Sequence, residues 1–231
     1  MTKLFSSLFA VLVASVTSLA SAQAPAGAQG QAAAAPGVAA SIEAKAAMCI
    51  GCHGIPGYQS SFPEVHRVPM ISGQTAQYIA AALTAYKNGD RKHPSMRGIA
   101  AGLSEQDIKA ISAWYEGHNK GAKVPAQVRQ PNAQVAALLQ KGACISCHGA
   151  NFSSPIDPSY PKIAGQHKDY LSVALRAYKT ENQAVVGRNN GVMAGIVKQF
   201  TNAELRAMAD YIGSLPGELI TQPQSRFRLA D

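Results

Sequence analysis

Cysteine is scarce in this sequence, and none of it is spare. The 231 residues include four cysteines, all in two short runs, so no thiol remains for a disulfide or a free nucleophile. Aromatic residues are also few, at 6% of the chain with a single Trp. Two small domains of this composition bury too little apolar surface to stand alone and need a large apolar body to pack around. Long hydrophobic runs are missing beyond the N-terminus, which excludes a bundle of membrane spans. No stretch alternates apolar and polar residues with a period of two, so no strand is expected. Acidic residues number 13 against 21 Lys and Arg, a formal charge of +8. The basic residues are scattered and form no cluster of the nucleic-acid type, so no nucleic-acid partner is expected. Their excess suits either an acidic protein partner or simply a soluble basic surface.

What is present is Cys49-Ile50-Gly51-Cys52-His53, and, nearly unchanged, Cys144-Ile145-Ser146-Cys147-His148. C-x-x-C alone also fits a thioredoxin-like redox pair or half a zinc site. A four-thiolate zinc ribbon, however, places its pairs about 15–20 residues apart, and here a whole domain's length separates them. Neither alternative requires His after the second Cys. C-x-x-C-H is the attachment run of a c-type haem: Cys49, Cys52, Cys144 and Cys147 would form thioethers to the vinyl groups of two haems. His53 and His148 would stand below the irons as proximal ligands. Two ferric haems, each about −1 with ionised propionates, and loss of Lys3 with a leader bring the charge to about +5.

Residues 1–22 have the pattern of a cleavable signal peptide: Lys3, a short apolar stretch from Leu8, and Ala20-Ser21-Ala22 as the cleavage site. An uncleaved membrane helix is the alternative, weakened by the Ser and Thr in that stretch. Export to the periplasm agrees with covalent haem attachment, which occurs outside the bacterial inner membrane. Residues 23–38 are an Ala/Pro-rich leader expected to be disordered. An internal repeat follows. Pro69-Met70-Ile71-Ser72-Gly73-Gln74 matches Pro161-Lys162-Ile163-Ala164-Gly165-Gln166, and Ala85-Tyr86-Lys87 matches Ala177-Tyr178-Lys179. The expected organisation is an N-terminal domain at 39–122, a linker at 123–131, a C-terminal domain at 132–215, and a tail at 216–231 that wraps the surface or is loose.

Each repeat reads as three helices, an all-α fold. The first spans Ser41 to Cys49 or Asn132 to Gly142, and the second Thr75 to Asn88 or Lys168 to Glu181. The third begins at Ser104 or Thr201, with Asp107 or Glu204 completing a capping box. Its face of Ile108, Ile111 and Trp114 should pack on the first helix.

Met96 and Met193 are the candidate sixth ligands. Each stands seven positions before the apolar residue preceding the third helix, Leu103 or Phe200, in what reads as a loop. A thioether sulfur on iron favours the ferrous state and raises the potential. Met48, Met70 and Met208 face Ala143, Lys162 and Ile111 in the other repeat, fail that symmetry and read as packing or surface residues. His93 is the rival ligand in the first repeat, although it precedes Pro94 in a turn-like stretch and has no His counterpart. His66, His118 and His167 read as surface or hydrogen-bonding residues. The carbonyls of Pro69 and Pro161 could accept from the proximal imidazoles, with simple turn prolines as the alternative. Tyr86, Tyr178, Arg97 and Gln74 are candidates to meet the propionates.

Two haem motifs, paired Pro-x-Ile-x-Gly-Gln segments and paired methionines together resemble the dihaem cytochrome c4 family, over roughly residues 37–215. The resemblance implies two tandem cytochrome c class I-like domains related by a pseudo-twofold axis, with propionate edges at their interface. It implies a non-enzymatic carrier of single electrons in a periplasmic respiratory chain, soluble or loosely membrane-associated. Its acceptor would be a terminal oxidase, and its donor a quinol–cytochrome c reductase or a dehydrogenase. Two other readings stay open. One is a haem subunit of a larger respiratory or dehydrogenase complex. The other is a dihaem redox enzyme of the peroxidase or thiosulfate dehydrogenase type, which needs an open or labile iron position.

Overall fold

The computed structural model describes residues 41–119 and 121–223. The expected signal peptide, the leader and residues 224–231 of the tail lie outside the described residues. The first half runs α1 (Ile42–His53), β1 (Gln59–Ser60), β2 (His66–Arg67), α2 (Ala76–Asn88), β3 (Arg91–Lys92), α3 (Pro94–Ala101) and α4 (Glu105–Gly117). The second runs α5 (Ala133–Lys141), α6 (Ile145–His148), α7 (Lys168–Ala177), β4 (Gly187–Arg188), α8 (Gly191–Val197) and α9 (Asn202–Gly213).

The helix starts follow from capping chemistry. Side chains of Ser41, Thr75 and Asn132 accept from amides three residues on, satisfying donors that a helix start leaves free. Ser104 with Asp107 and Thr201 with Glu204 form complete capping boxes at α4 and α9. α4 packs on α1 and α2, and α9 on α5 and α7. Ile79, Leu83, Ile108, Ile111 and Tyr115 form one core, and Leu138, Leu171, Leu205, Met208 and Ile212 belong to another.

Four expectations need correction. α1 does not end at Cys49 but continues through the whole motif to His53. In the second repeat the same stretch breaks at Ala143, which takes a left-handed φ of 48°. α7 stops at Ala177, short of Glu181, because the amides of Tyr178, Lys179 and Thr180 turn back onto carbonyls three residues earlier, tightening the chain out of the helix. Met96 and Met193 sit on short helices rather than in loops: Pro94 occupies the first turn of α3, where its missing N–H costs nothing. Strands exist, but each has only two residues, too few for a period of two to register.

The halves are joined by side chains that imitate backbone. Gln74 accepts from the Lys162 amide at 3.0 Å and donates to the Lys162 carbonyl at 2.9 Å. Its repeat partner Gln166 does the same to Met70, at 3.0 and 2.8 Å. Both glutamines are buried, and each satisfies a pair of backbone groups across the seam. Arg67 pairs with Asp169 and Arg176 with Glu64 across the same seam. β3 pairs antiparallel with β4, which sets Arg91 opposite Arg188. The described part of the tail is tied down: Ile220 bridges to Ser72, Glu218 pairs with Lys162, and Leu219 is buried.

Candidate functional site

Both histidines of the motifs end a helix and bond in the same way. His53 Nδ1 lies 2.8 Å from the carbonyl oxygen of Pro69, and His148 Nδ1 lies 3.0 Å from that of Pro161. A carbonyl only accepts, so Nδ1 carries the proton and Nε2 keeps its lone pair. Burial lowers the pKa of both imidazoles, with the carbonyls opposing, which keeps the rings neutral. The proline carbonyls are therefore hydrogen-bond acceptors and not merely turn formers.

No disulfide joins any of the four cysteines. Burial pushes the Cys49 thiol up and the Cys144 thiol up to about 11. A dithiol redox pair works through a depressed thiol pKa, so these sites lack its electrostatics. Among the described residues no three His, Cys, Asp or Glu side chains converge on a metal, so a zinc site finds no ligands either.

One cavity of about 800 Å³ gathers these elements from both halves. Cys52, His53 and Met96 line it from the first repeat, and Cys144, Cys147, His148 and Met193 from the second. Cys49 is packed against the first core instead. Much of the wall is aliphatic, including Ile79, Leu83, Val173, Val197 and Leu205. Met96 and Met193 each pack on the core of their own half. Asn190 caps α8 by accepting from the Met193 amide at 3.0 Å, whereas His93, in the same place before α3, caps nothing. His93 instead stands in the cavity wall, edge-on to Phe62. Met70 and Met208 also reach the wall.

Of the residues expected to meet propionates, Gln74 is spent on Lys162, and Arg97 is exposed and outside the cavity lining. Tyr86 and Tyr178 do line the cavity, but beside residues that the sequence reading passed over. Arg91 lies over the Tyr86 ring at 4.7 Å and Arg188 over Tyr178 at 5.3 Å. A signal was available: each arginine stands five residues before its methionine, so the pair recurs in both repeats.

The residues fit a haem. Apolar walls, a neutral imidazole with a free lone pair, thiols at the attachment spacing and half-buried cations for its carboxylates are all supplied by this chain.

The comparisons agree. The cytochrome c family model matches residues 133–216. Cytochrome c4 of Pseudomonas aeruginosa is 30% identical over 190 residues, covering 78% of this chain and 90% of that protein. A thiosulfate dehydrogenase electron acceptor of Thiomonas intermedia is 28% identical, over 79% of this chain and 85% of that protein. The solved cytochrome c4 of Acidithiobacillus ferrooxidans superposes with a TM-score of 0.56 at 26% identity, over 74% of this chain and 99% of that one. Such identity along nearly the whole of a relative, with the haem motif in both halves, leaves one conclusion: the chain belongs to the cytochrome c4 family, c-type cytochromes that transfer electrons through covalently bound haem c.

Proposed function

We propose that the chain is a dihaem electron carrier, with one haem in each of the domains at 39–122 and 132–215. Cys49 and Cys52 would bind the first haem, with His53 and Met96 as its axial ligands. Cys144 and Cys147 would bind the second, with His148 and Met193. The observation that carries this reading is the duplicated constellation: a neutral, carbonyl-anchored histidine and a helix-borne methionine line the same cavity in both halves. When bound, the haem supplies one-electron chemistry at iron. The chain's residues hold ligand geometry, exclude water and set the field. Two six-coordinate irons need little rearrangement between oxidation states, which suits a carrier rather than an enzyme.

The proposed location is the periplasm, reached by the signal peptide at 1–22, with a terminal oxidase as acceptor and a quinol–cytochrome c reductase as donor. The relative from Thiomonas intermedia favours a second donor class, a thiosulfate dehydrogenase. On that reading the chain receives electrons as a dehydrogenase's partner or subunit, with the same two centres.

A haemochrome assay tests the count. The wild-type chain should carry two covalent haems, and the double variant Cys144→Ser/Cys147→Ser should carry one; two attached haems in that variant would refute the motif assignment. Carbon monoxide tests the ligation: the reduced wild-type protein should bind it slowly and in low yield. Rapid stoichiometric binding would point to an open iron and an enzyme.

A further inference from the structure

The cavity wall holds two arginines that pair with no carboxylate among the described residues. Arg91 and Arg188 come from different halves and stand opposite each other on the β3–β4 ladder. Arg91 donates to the Tyr78 hydroxyl at 3.2 Å and to the Tyr170 hydroxyl at 2.6 Å. Arg188 donates to the same Tyr170 hydroxyl at 3.1 Å. The remaining neighbours, Tyr86 and Tyr178, offer only ring faces. Arg91 Nε is buried and finds no hydrogen-bond partner among the described residues. Burial raises the pKa of the Tyr170 phenol, yet Arg188 and Arg91 outweigh it and hold the group down to about 8. Two adjacent, half-buried cations with only neutral partners among the described residues call for an anion.

The haem itself supplies that anion. Its vinyl groups and its propionates lie at opposite edges of the macrocycle. Cys52 and Cys147 line the same cavity as Arg91 and Arg188, so a haem held at its vinyl edge by either motif brings its carboxylates into the cavity that these arginines line.

We infer that Arg91 and Arg188 form a single cationic clamp shared by the propionates of both haems, which couples the two redox centres electrostatically. The inference rests on the reading that each half holds a haem. A fixed positive charge near a haem favours the ferrous state and so raises its potential. Because Tyr170 binds both guanidinium groups, and each arginine sits at the seam, the field of either one acts on both irons. Arg91 and Arg188 are therefore positioning residues for electron transfer, and their effect crosses the repeat boundary.

The test is voltammetry of the full holoprotein bearing Arg91→Gln or Arg188→Gln. Either substitution should move both one-electron steps to lower potential, with two haems still attached. Arg188→Lys keeps the charge but loses the planar fork, so it should move both steps in the same direction by a smaller amount; this variant decides the matter even if the Gln variants fail to accumulate. A shift confined to one step in any variant, no shift in the Gln variants, or a Lys variant as low as Gln would overturn the clamp. A single haem in the wild-type protein would instead overturn the reading beneath it.

Discussion

Met193→His should lower one of the two redox steps by about 0.2 V, within the roughly 0.8 V that axial ligands span. A thioether is a soft, weak donor that leaves ferrous iron favoured, whereas an imidazole stabilises the ferric state. The substitution should not cost the haem, because Cys144 and Cys147 are untouched. Nor should it cost the geometry: residue 193 lies in the first turn of α8, whose start is fixed by the Asn190 cap, and α8 leans on α7. The near-infrared absorption of methionine-ligated ferric haem should fall by half. Met208 provides the control. It also reaches the cavity wall, but it is 4% exposed in the middle of the second core, so Met208→Leu should leave both steps in place. A protein in which Met193→His left both potentials unchanged would remove Met193 from the iron.

The parts of this molecule that local chemistry dictates are visible in its sequence. The capping boxes at Ser104 and Thr201 each need only four residues, and both helices begin where those residues place them. The haem motifs and the paired methionines are equally local, since their spacing survives in both repeats. The helices that carry the methionines were harder to see. α3 has eight residues and α8 has seven, too short for a 3.6-residue period to stand out, and Pro94 reads as a turn until its place in the first turn of a helix is known.

The seam between the halves was hidden for a different reason. Gln74 meets Lys162, and Arg91 meets Tyr170, across most of a domain's length of chain, and no local pattern encodes such pairs. Only the repeat offered a clue. Residues occupying equivalent positions in two copies related by approximate symmetry tend to approach the symmetry axis together, as the two glutamines and the two arginines do. Gln74 reads from the sequence as a candidate propionate contact and instead bonds Lys162, because a buried amide's partners are set by tertiary contact and not by its neighbours in the chain.

Gly149→Ala should disable the second haem site while leaving the first intact. Gly149 follows His148 directly and ends α6 at φ 78° and ψ 160°, a region essentially closed to other residues at a cost of about 1–3 kcal/mol. Space is a second obstacle: a Cβ there would lie 2.0 Å from the Ser154 carbonyl oxygen. That oxygen cannot swing aside, because Asn151 Oδ1 accepts from the Ser153 and Ser154 amides and holds the loop against the motif. The same loop delivers buried Phe152, whose carbonyl accepts from Ile163 and Ala164, just beyond the proline that anchors His148. Relieving the clash must therefore shift either the histidine or its acceptor, and precursor chains should mature with one haem instead of two by haemochrome assay. Gly54, at the equivalent place in the first repeat, has φ −99° and ψ 2°, which alanine adopts freely. Its added Cβ would lie 2.7 Å from Ile50 Cγ2 and 2.9 Å from the Ile50 carbonyl oxygen, so the end of α1 must give a little. Gly54→Ala should lose stability through these contacts but retain both haems, since its clash is milder and its backbone is unstrained. Equal damage from the two substitutions would show that the left-handed turn after His148 is not what aligns the second site.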